Sequence, residues 1–321
     1  MAILQFIPAS PAPVMGRLIR SLKHADTMAV LDIEDGYLDV YDPARTAARK
    51  VEARKLLLET CALCRGRTAG RPVAVRVNIV GTEDFERDLP LTRAAAESFG
   101  VAMVLLPKIT APEELQMAKG ALAEAGIQCG GLVPMIETER GMQAVAEVVA
   151  AAKELGAPAV LYGYHDYCLD AGHWPFLDLG EKQFWAAVAR VAEPTLAAGL
   201  RYVHPPQVDL HDEARLSELI ARLRGLCGDN FDILSAGMSQ TVVLRQLTSQ
   251  PSAEVATLAP LEDRPALDAA EGRKLAKEIC ALFEGNHRVE HSFSADARTG
   301  RFIPPHEYLA AVRFLQGAGG A

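Results

Sequence analysis

Long apolar runs are missing from this 321-residue chain. None approaches the roughly 20 residues needed to cross a bilayer, and no charged region precedes an apolar stretch at the start, so neither a membrane span nor a secretory leader is expected. Lysine and arginine runs are missing too. With 33 basic against 41 acidic residues the formal charge is −8, which argues against nucleic acid as a main partner and leaves a small anionic substrate open. Charges beyond roughly 8 Å are screened at physiological salt, so a local arginine or metal ion outweighs the global sign. The six cysteines are scattered, and the CxxC of Cys61 and Cys64 lies in a helix-like stretch without a second pair. That argues for structural thiols in a reducing cytoplasm rather than metal or redox use. No GxGxxG follows the first β-rich run, which counts against a dinucleotide-binding open sheet.

What the chain does have is an apolar half and a steady alternation. Short runs stand at 3–8, 28–33, 72–77, 102–107, 132–136, 159–163, 200–203 and 231–235, with helical patterns such as "PEELQMAKGALAEAG" between them. Gly126 and Gly156 stand where C′ glycines end two of those helices. Strands that read as continuous apolar runs indicate a parallel sheet buried on both faces. Eight βα units close a (β/α)₈ TIM barrel, usually of about 250 residues. The expected organisation is a barrel over 1–250 carrying the site. Residues 251–321 would form a C-terminal linker and a helical lid or oligomerisation arm. Pro134 sits inside a strand, and a bulge is expected there.

Barrel sites lie at the C-terminal strand ends. There the sequence places Glu34 and Asp35, Arg76 and Asn78, Lys108, Glu137, Asp166 and His204 in order. Core packing does not ask for an ionisable group on every strand from the second to the seventh. Glu137 and Asp166 fall on adjacent strands, about 4.8 Å apart. Two carboxylates roughly 4 Å apart repel by about 4 kcal/mol at an effective dielectric of 20, so the pair needs a proton or a cation. Oxygen ligands favour a hard ion, Mg²⁺ or alternatively Mn²⁺. The plainer reading makes each acid a helix N-cap or a first-turn residue near the dipole. Arg76 is a fork for a substrate carboxylate, a buried partner of Glu34 or Asp35, or both together. Lys108 is a charge partner, a Schiff-base nucleophile or structural. His165 and His204 read first as hydrogen-bonded structure.

The ordered set "FIPAS", "VLDIEDG", "KVEAR", "VRVN", "LLPKI", "PMIETERG" and "YGYHD" spans most of residues 3–170. It resembles the citrate lyase β-subunit and 2-oxo-acid aldolase (HpcH/HpaI) superfamily. The resemblance implies a barrel with Mg²⁺ held by Glu137 and Asp166, Arg76 binding a substrate carboxylate, and Glu34 and Asp35 beside the metal waters. It implies carbon–carbon bond cleavage or formation next to a carbonyl, on CoA thioesters or hydroxy-2-oxo acids, in a trimeric or hexameric homo-oligomer. Three departures stand out. The loop between "IEDG" and "KVEAR" is longer than usual. "HPPQ" falls on the seventh strand rather than the last and is read as coincidence. Pro304 replaces the aspartate that thioester-cleaving relatives supply to a neighbour, which weakens the CoA-thioester reading.

The expected chemistry is a metal-dependent lyase in which the cation stabilises an enolate, with Glu34, Asp35, Arg76 and Lys108 as catalytic residues and Arg76 and Asn78 binding substrate. Arg17, Arg20 and Lys23 on the first helix, or backbone N–H groups of "SAGMSQ", are candidates for phosphate contacts. A metal-free Schiff-base aldolase through Lys108 and a non-catalytic barrel with a binding or assembly role remain the alternatives.

Overall fold

The computed structural model describes residues 1–7, 11–21, 24, 26–65, 72–209, 212–249, 258–264, 267–286, 293–296 and 300–317. The "PAS" of "FIPAS", Lys23, the start of the expected linker and the terminal "GGA" lie outside these, as does the side chain of Arg20. Eight parallel strands close on themselves: β1 (Ile3–Ile7), β2 (Thr27–Asp32), β3 (Val73–Arg76), β4 (Val101–Leu106), β5 (Leu132–Ile136), β6 (Ala159–Tyr162), β7 (Arg201–His204) and β8 (Phe231–Ser235). The ring is sealed where Leu4 pairs with Leu234. The fold is the expected TIM barrel, and "HPPQ" does belong to the seventh strand.

Helices α1 (Ala12–Ser21), α2 (Pro43–Cys64), α3 (Glu83–Phe99), α4 (Pro112–Glu124), α5 (Glu139–Gln143), α6 (Val145–Glu154), α7 (Tyr164–Asp170), α8 (Lys182–Ala197), α9 (Glu213–Cys227) and α10 (Met238–Ser249) fill the connections. Gly126 and Gly156 take φ of +66° and +74° one residue past the C-caps of α4 and α6, as their positions predict. Among the described residues no helix is long and apolar enough to cross a membrane.

The expected bulge at Pro134 is absent. Its pairing with β4 stays in register and ends at Leu106–Pro134, while pairing with β6 begins one residue later at Met135–Leu161. The missing N–H therefore falls where one ladder hands over to the next. The register shift that does occur lies between Val73 and Ala74.

Period-two alternation sorts each strand into an outward face, packed against helices, and an inward face. Leu4, Val30, Ala74, Leu105, Val133, Met135, Leu161, Val203 and Leu234 fill the barrel interior. Continuing that inward register by one step at the C-terminal ends gives Phe6, Asp32, Arg76, Glu137, Gly163, Pro205 and Ala236, all lining the mouth cavity. The same alternation that builds the core thus aims the site.

After the barrel come α11 (Ala269–Asn286), the short antiparallel strands β9 (Ser294–Ala295) and β10 (Phe302–Ile303), and α12 (Pro305–Gly317). Ala276, Ile279, Phe283, Ile303, Tyr308 and Ala311 make a small core of their own. The first turn of α12 lies over the mouth, where Pro304, Pro305 and His306 line the cavity.

Candidate active site

Arg76 and Asp32 face each other across the β2–β3 ladder. The guanidinium grips the carboxylate at both oxygens, Nε to Oδ1 at 2.7 Å and Nη2 to Oδ2 at 2.8 Å, and its Nη1 lies 3.2 Å from both Glu34 and Asp35. The ion-pair reading of Arg76 is the one the structure shows, and its Nε/Nη2 edge is not a free fork for substrate. Asp32 was not anticipated; its place two residues before Glu34, on the inward register after Val30, was the available signal. The same carboxylate accepts from the Glu34 and Gly36 N–H groups, both at 3.0 Å. A Cβ at Gly36 would stand 2.6 Å from Asp32 Oδ2, so the "EDG" turn needs glycine.

Lys108 occupies the middle of the remaining acids. Its Nζ is 2.7 Å from Glu34, 3.0 Å from Asp166, 3.6 Å from Asp35 and 3.9 Å from Glu137. Its backbone takes a φ of +54°, a left-handed value uncommon outside glycine, which turns its N–H onto Glu137 Oε1 at 2.8 Å. Burial pulls the Lys108 pKa down, but Asp35, Glu34, Asp166 and Glu137 together raise it well above the ordinary lysine value. A nitrogen held as ammonium is a poor nucleophile, which counts against the Schiff-base alternative.

Glu137 and Asp166 both line the mouth cavity. Glu137 is not a helix cap: Thr138 performs that role for α5. Asp166 is both a first-turn residue of α7 and a wall of the cavity. Gly163 makes room for the pair, because a Cβ there would sit 2.1 Å from Glu137 Oε2. Burial, then repulsion from Asp166, raises the Glu137 pKa well above the usual carboxylate range. Burial and Asp35 likewise push Glu34 up to about 8. Asp35 and Asp166 move down: burial opposes them, but Lys108 and His306 act on both and Arg76 on Asp35.

His306 was not anticipated either. It reaches in from α12, with Nε2 3.2 Å from Asp166 and 4.0 Å from Asp35, and the ligand atoms of Asp35, Asp166 and His306 lie within 4.8 Å of one another. Burial lowers its pKa, yet Asp166 raises it further, above the ordinary value. Nothing local marks His306; only tertiary packing brings it here.

A cation fits this arrangement. Among the described residues the carboxyls of Asp32, Glu34, Asp35, Glu137 and Asp166 face Arg76 and Lys108 as permanent cations, and Glu137 Oε2 is buried with no hydrogen-bond partner. Oxygen donors with one imidazole suit a divalent ion.

Other expected residues are placed elsewhere. Asn78 is not in the cavity; its Nδ2 donates to Ile33 O at 3.1 Å and Asp88 Oδ2 at 2.8 Å, and its Oδ1 accepts from Lys50. Glu34 stands behind Asp35 rather than on the cavity wall. In the "SAGMSQ" loop two of the backbone N–H groups are already engaged, Ala236 N with Gln240 Oε1 and Gly237 N with Ser235 Oγ. Arg17 is exposed on α1. Buried His204 is hydrogen-bonded to Tyr202 at 3.1 Å, as its structural reading predicts. His165 lines the cavity with its Nε2 buried and unpartnered, and burial lowers its pKa to about 3. "HPPQ" is not idle, since Pro205, Pro206 and Gln207 line the same cavity.

A closed parallel barrel that gathers buried carboxyls at its C-terminal strand ends defines a barrel enzyme with an acidic site. Residues 3–230 match the model of the HpcH/HpaI aldolase/citrate lyase family, and the chain belongs to that family. A hydroxypyruvate/pyruvate aldolase from Rhizorhabdus wittichii is 33% identical over 115 residues, covering 34% of this chain and 44% of that protein. The chain thus spans less than half the length of this curated relative. Among solved structures, the citrate lyase β subunit of M. tuberculosis with oxaloacetate and magnesium has a TM-score of 0.57 at 21% identity, covering 77% of this chain and 96% of that one. The same organism's CitE protein with magnesium, acetoacetate and coenzyme A has a TM-score of 0.56 at 20% identity, covering 99% and 98%. RipC from Yersinia pestis has a TM-score of 0.57 at 21% identity, covering 80% and 98%. These likenesses are of fold.

Proposed function

We propose that this protein is a divalent-metal-dependent carbon–carbon lyase acting on a small 2-oxo acid, with Mg²⁺ as the ion. The observation that carries the reading is the buried Glu137 carboxyl, whose Oε2 has no hydrogen-bond partner, on the same cavity wall as Asp35 and Asp166. Glu137 and Asp166 would hold the ion, with Asp35 and His306 in reach. The bound ion supplies Lewis acidity toward the substrate's carboxylate and oxo oxygens and stabilises the enolate charge.

The chain's own residues supply the rest. Arg76 and Lys108 fix the acids that face the substrate and keep Asp35 and Asp166 ionised. In an aldol cleavage the hydroxyl proton leaves as the carbon–carbon bond breaks and its electron pair passes into the enolate. Asp35 and His165 bring unprotonated acceptors to the cavity wall, and His306 brings a donor. Pro304, Pro305 and His306 of the covering segment form part of the cavity wall. Family membership and the fold likeness to magnesium-bound citrate lyase β proteins support this reading, and the in-chain cover with Pro304 and His306 favours a free acid over a CoA thioester.

The test is pyruvate release from 4-hydroxy-2-oxo acids. Activity should vanish in EDTA, return with Mg²⁺, and be lost together with metal binding in Asp166→Ala. Full activity in excess EDTA defeats the proposal.

A further inference from the structure

We infer that the cavity selects a 2-oxo acid whose far end is uncharged and apolar. This rests on the 2-oxo-acid reading and adds the chemistry of the tail. The cavity, about 420 Å³ in volume, has two unlike sides. Carboxyls stand on the β2–β6 side. On the β7–β8 side stand Pro206 and Leu234, and the C-terminal segment adds Phe293 and Phe302.

The apolar wall is built into the fold. The Phe302 N–H donates to Val208 O at 2.9 Å, and Phe302 pairs with Ala295 across the β9–β10 ladder. The Phe293 and Phe302 rings pack with centroids 4.8 Å apart. The volume is toward the small end of ligand cavities, which run from roughly 300 to 1,000 Å³, so both sides border one compact space.

Among the described lining residues the permanent cation is Arg76, and its guanidinium is already held by Asp32, Glu34 and Asp35. His306 is turned to Asp166. A carboxylate at the far end of a substrate would leave water without meeting a cation, which is unfavourable. An alkyl end would cover apolar surface instead. Small changes of ligand in such a pocket alter discrimination about 10–200-fold.

The matched pair 2-oxohexanoate and 2-oxoadipate tests this, because they share chain length and differ only in a terminal methyl or carboxylate. Isothermal titration of the whole chain with Mg²⁺ present should give a Kd about tenfold or more lower for 2-oxohexanoate. Phe302→Arg should narrow or invert the preference, and Phe302→Leu should keep it. Equal or tighter binding of 2-oxoadipate, binding of neither acid, or an unchanged preference in Phe302→Arg overturns the inference. Absence of lyase turnover on every 2-oxo acid would end the proposed reaction while this binding preference still stood or fell by its own measurement.

Discussion

Replacing Lys108 by methionine keeps most of the side chain's volume and removes the one ammonium that Glu34, Asp35, Glu137 and Asp166 share. The side chain is three-quarters buried, so screening by solvent is modest. Deleting one partner of a buried pair costs about 3–5 kcal/mol, because the other charge is left uncompensated. We therefore expect the variant to lose about 3 kcal/mol in EDTA, measured by urea unfolding at neutral pH. Mg²⁺ should act in the opposite sense. In the native chain an entering ion competes with the ammonium at 3.0 Å from Asp166, whereas in the variant it meets acids with no cation among them. Binding should tighten, and saturating Mg²⁺ should narrow the gap by about 1.4 kcal/mol for each tenfold by which the variant's Kd is lower. Equal stability of the two chains in EDTA, or weaker Mg²⁺ binding in the variant, would refute the reasoning that Lys108 holds the place of a cation.

Gly163→Ala sets a methyl 2.1 Å from Glu137 Oε2 and should weaken Mg²⁺ binding about tenfold or more by calorimetry; unchanged affinity would remove Glu137 from the site. Asp88→Ala removes one of the two carboxylates on Arg54, at 2.7 Å, leaves Asp84 at 2.8 Å, and takes the acceptor from Asn78 N. It should cost about 1–3 kcal/mol in urea unfolding and leave Mg²⁺ affinity unchanged. For His306, burial lowers the pKa but Asp166 raises it above the ordinary 6.5. A raised folded value means its stabilisation is complete below the unfolded value and is lost as pH rises through the folded one. The stability difference between the native chain and His306→Gln should thus be largest below pH 6.5 and shrink at higher pH. A difference that grows with pH contradicts the Asp166 pairing.

The barrel was legible because strands buried on both faces must be apolar throughout, and runs such as "LVPMI" have no other home in a soluble α/β chain. Glu137 was legible because it follows such a run at the next inward position, and Asp35 and Asp166 because they stand a few residues past the ends of theirs. Three things were not. Asp32 passed as part of a strand, although it faces Arg76 across the ladder. His306 comes from a segment far along the chain, and no local pattern encodes its approach to Asp166. Asn78 and the "SAGMSQ" loop looked available because a sequence does not show which polar groups their neighbours already satisfy, here Asp88, Lys50, Gln240 and Ser235. Pro134 looked disruptive for a related reason, since the handover between ladders at its position is set by the barrel's stagger.

The most direct measurement is anomalous diffraction from a crystal soaked in Mn²⁺ as a probe for the divalent site. A single strong peak bonded to carboxylate oxygens of Glu137 and Asp166, with the Lys108 ammonium moved aside, is the predicted result. A mouth without a peak, with Lys108 still seated among the acids, would contradict it.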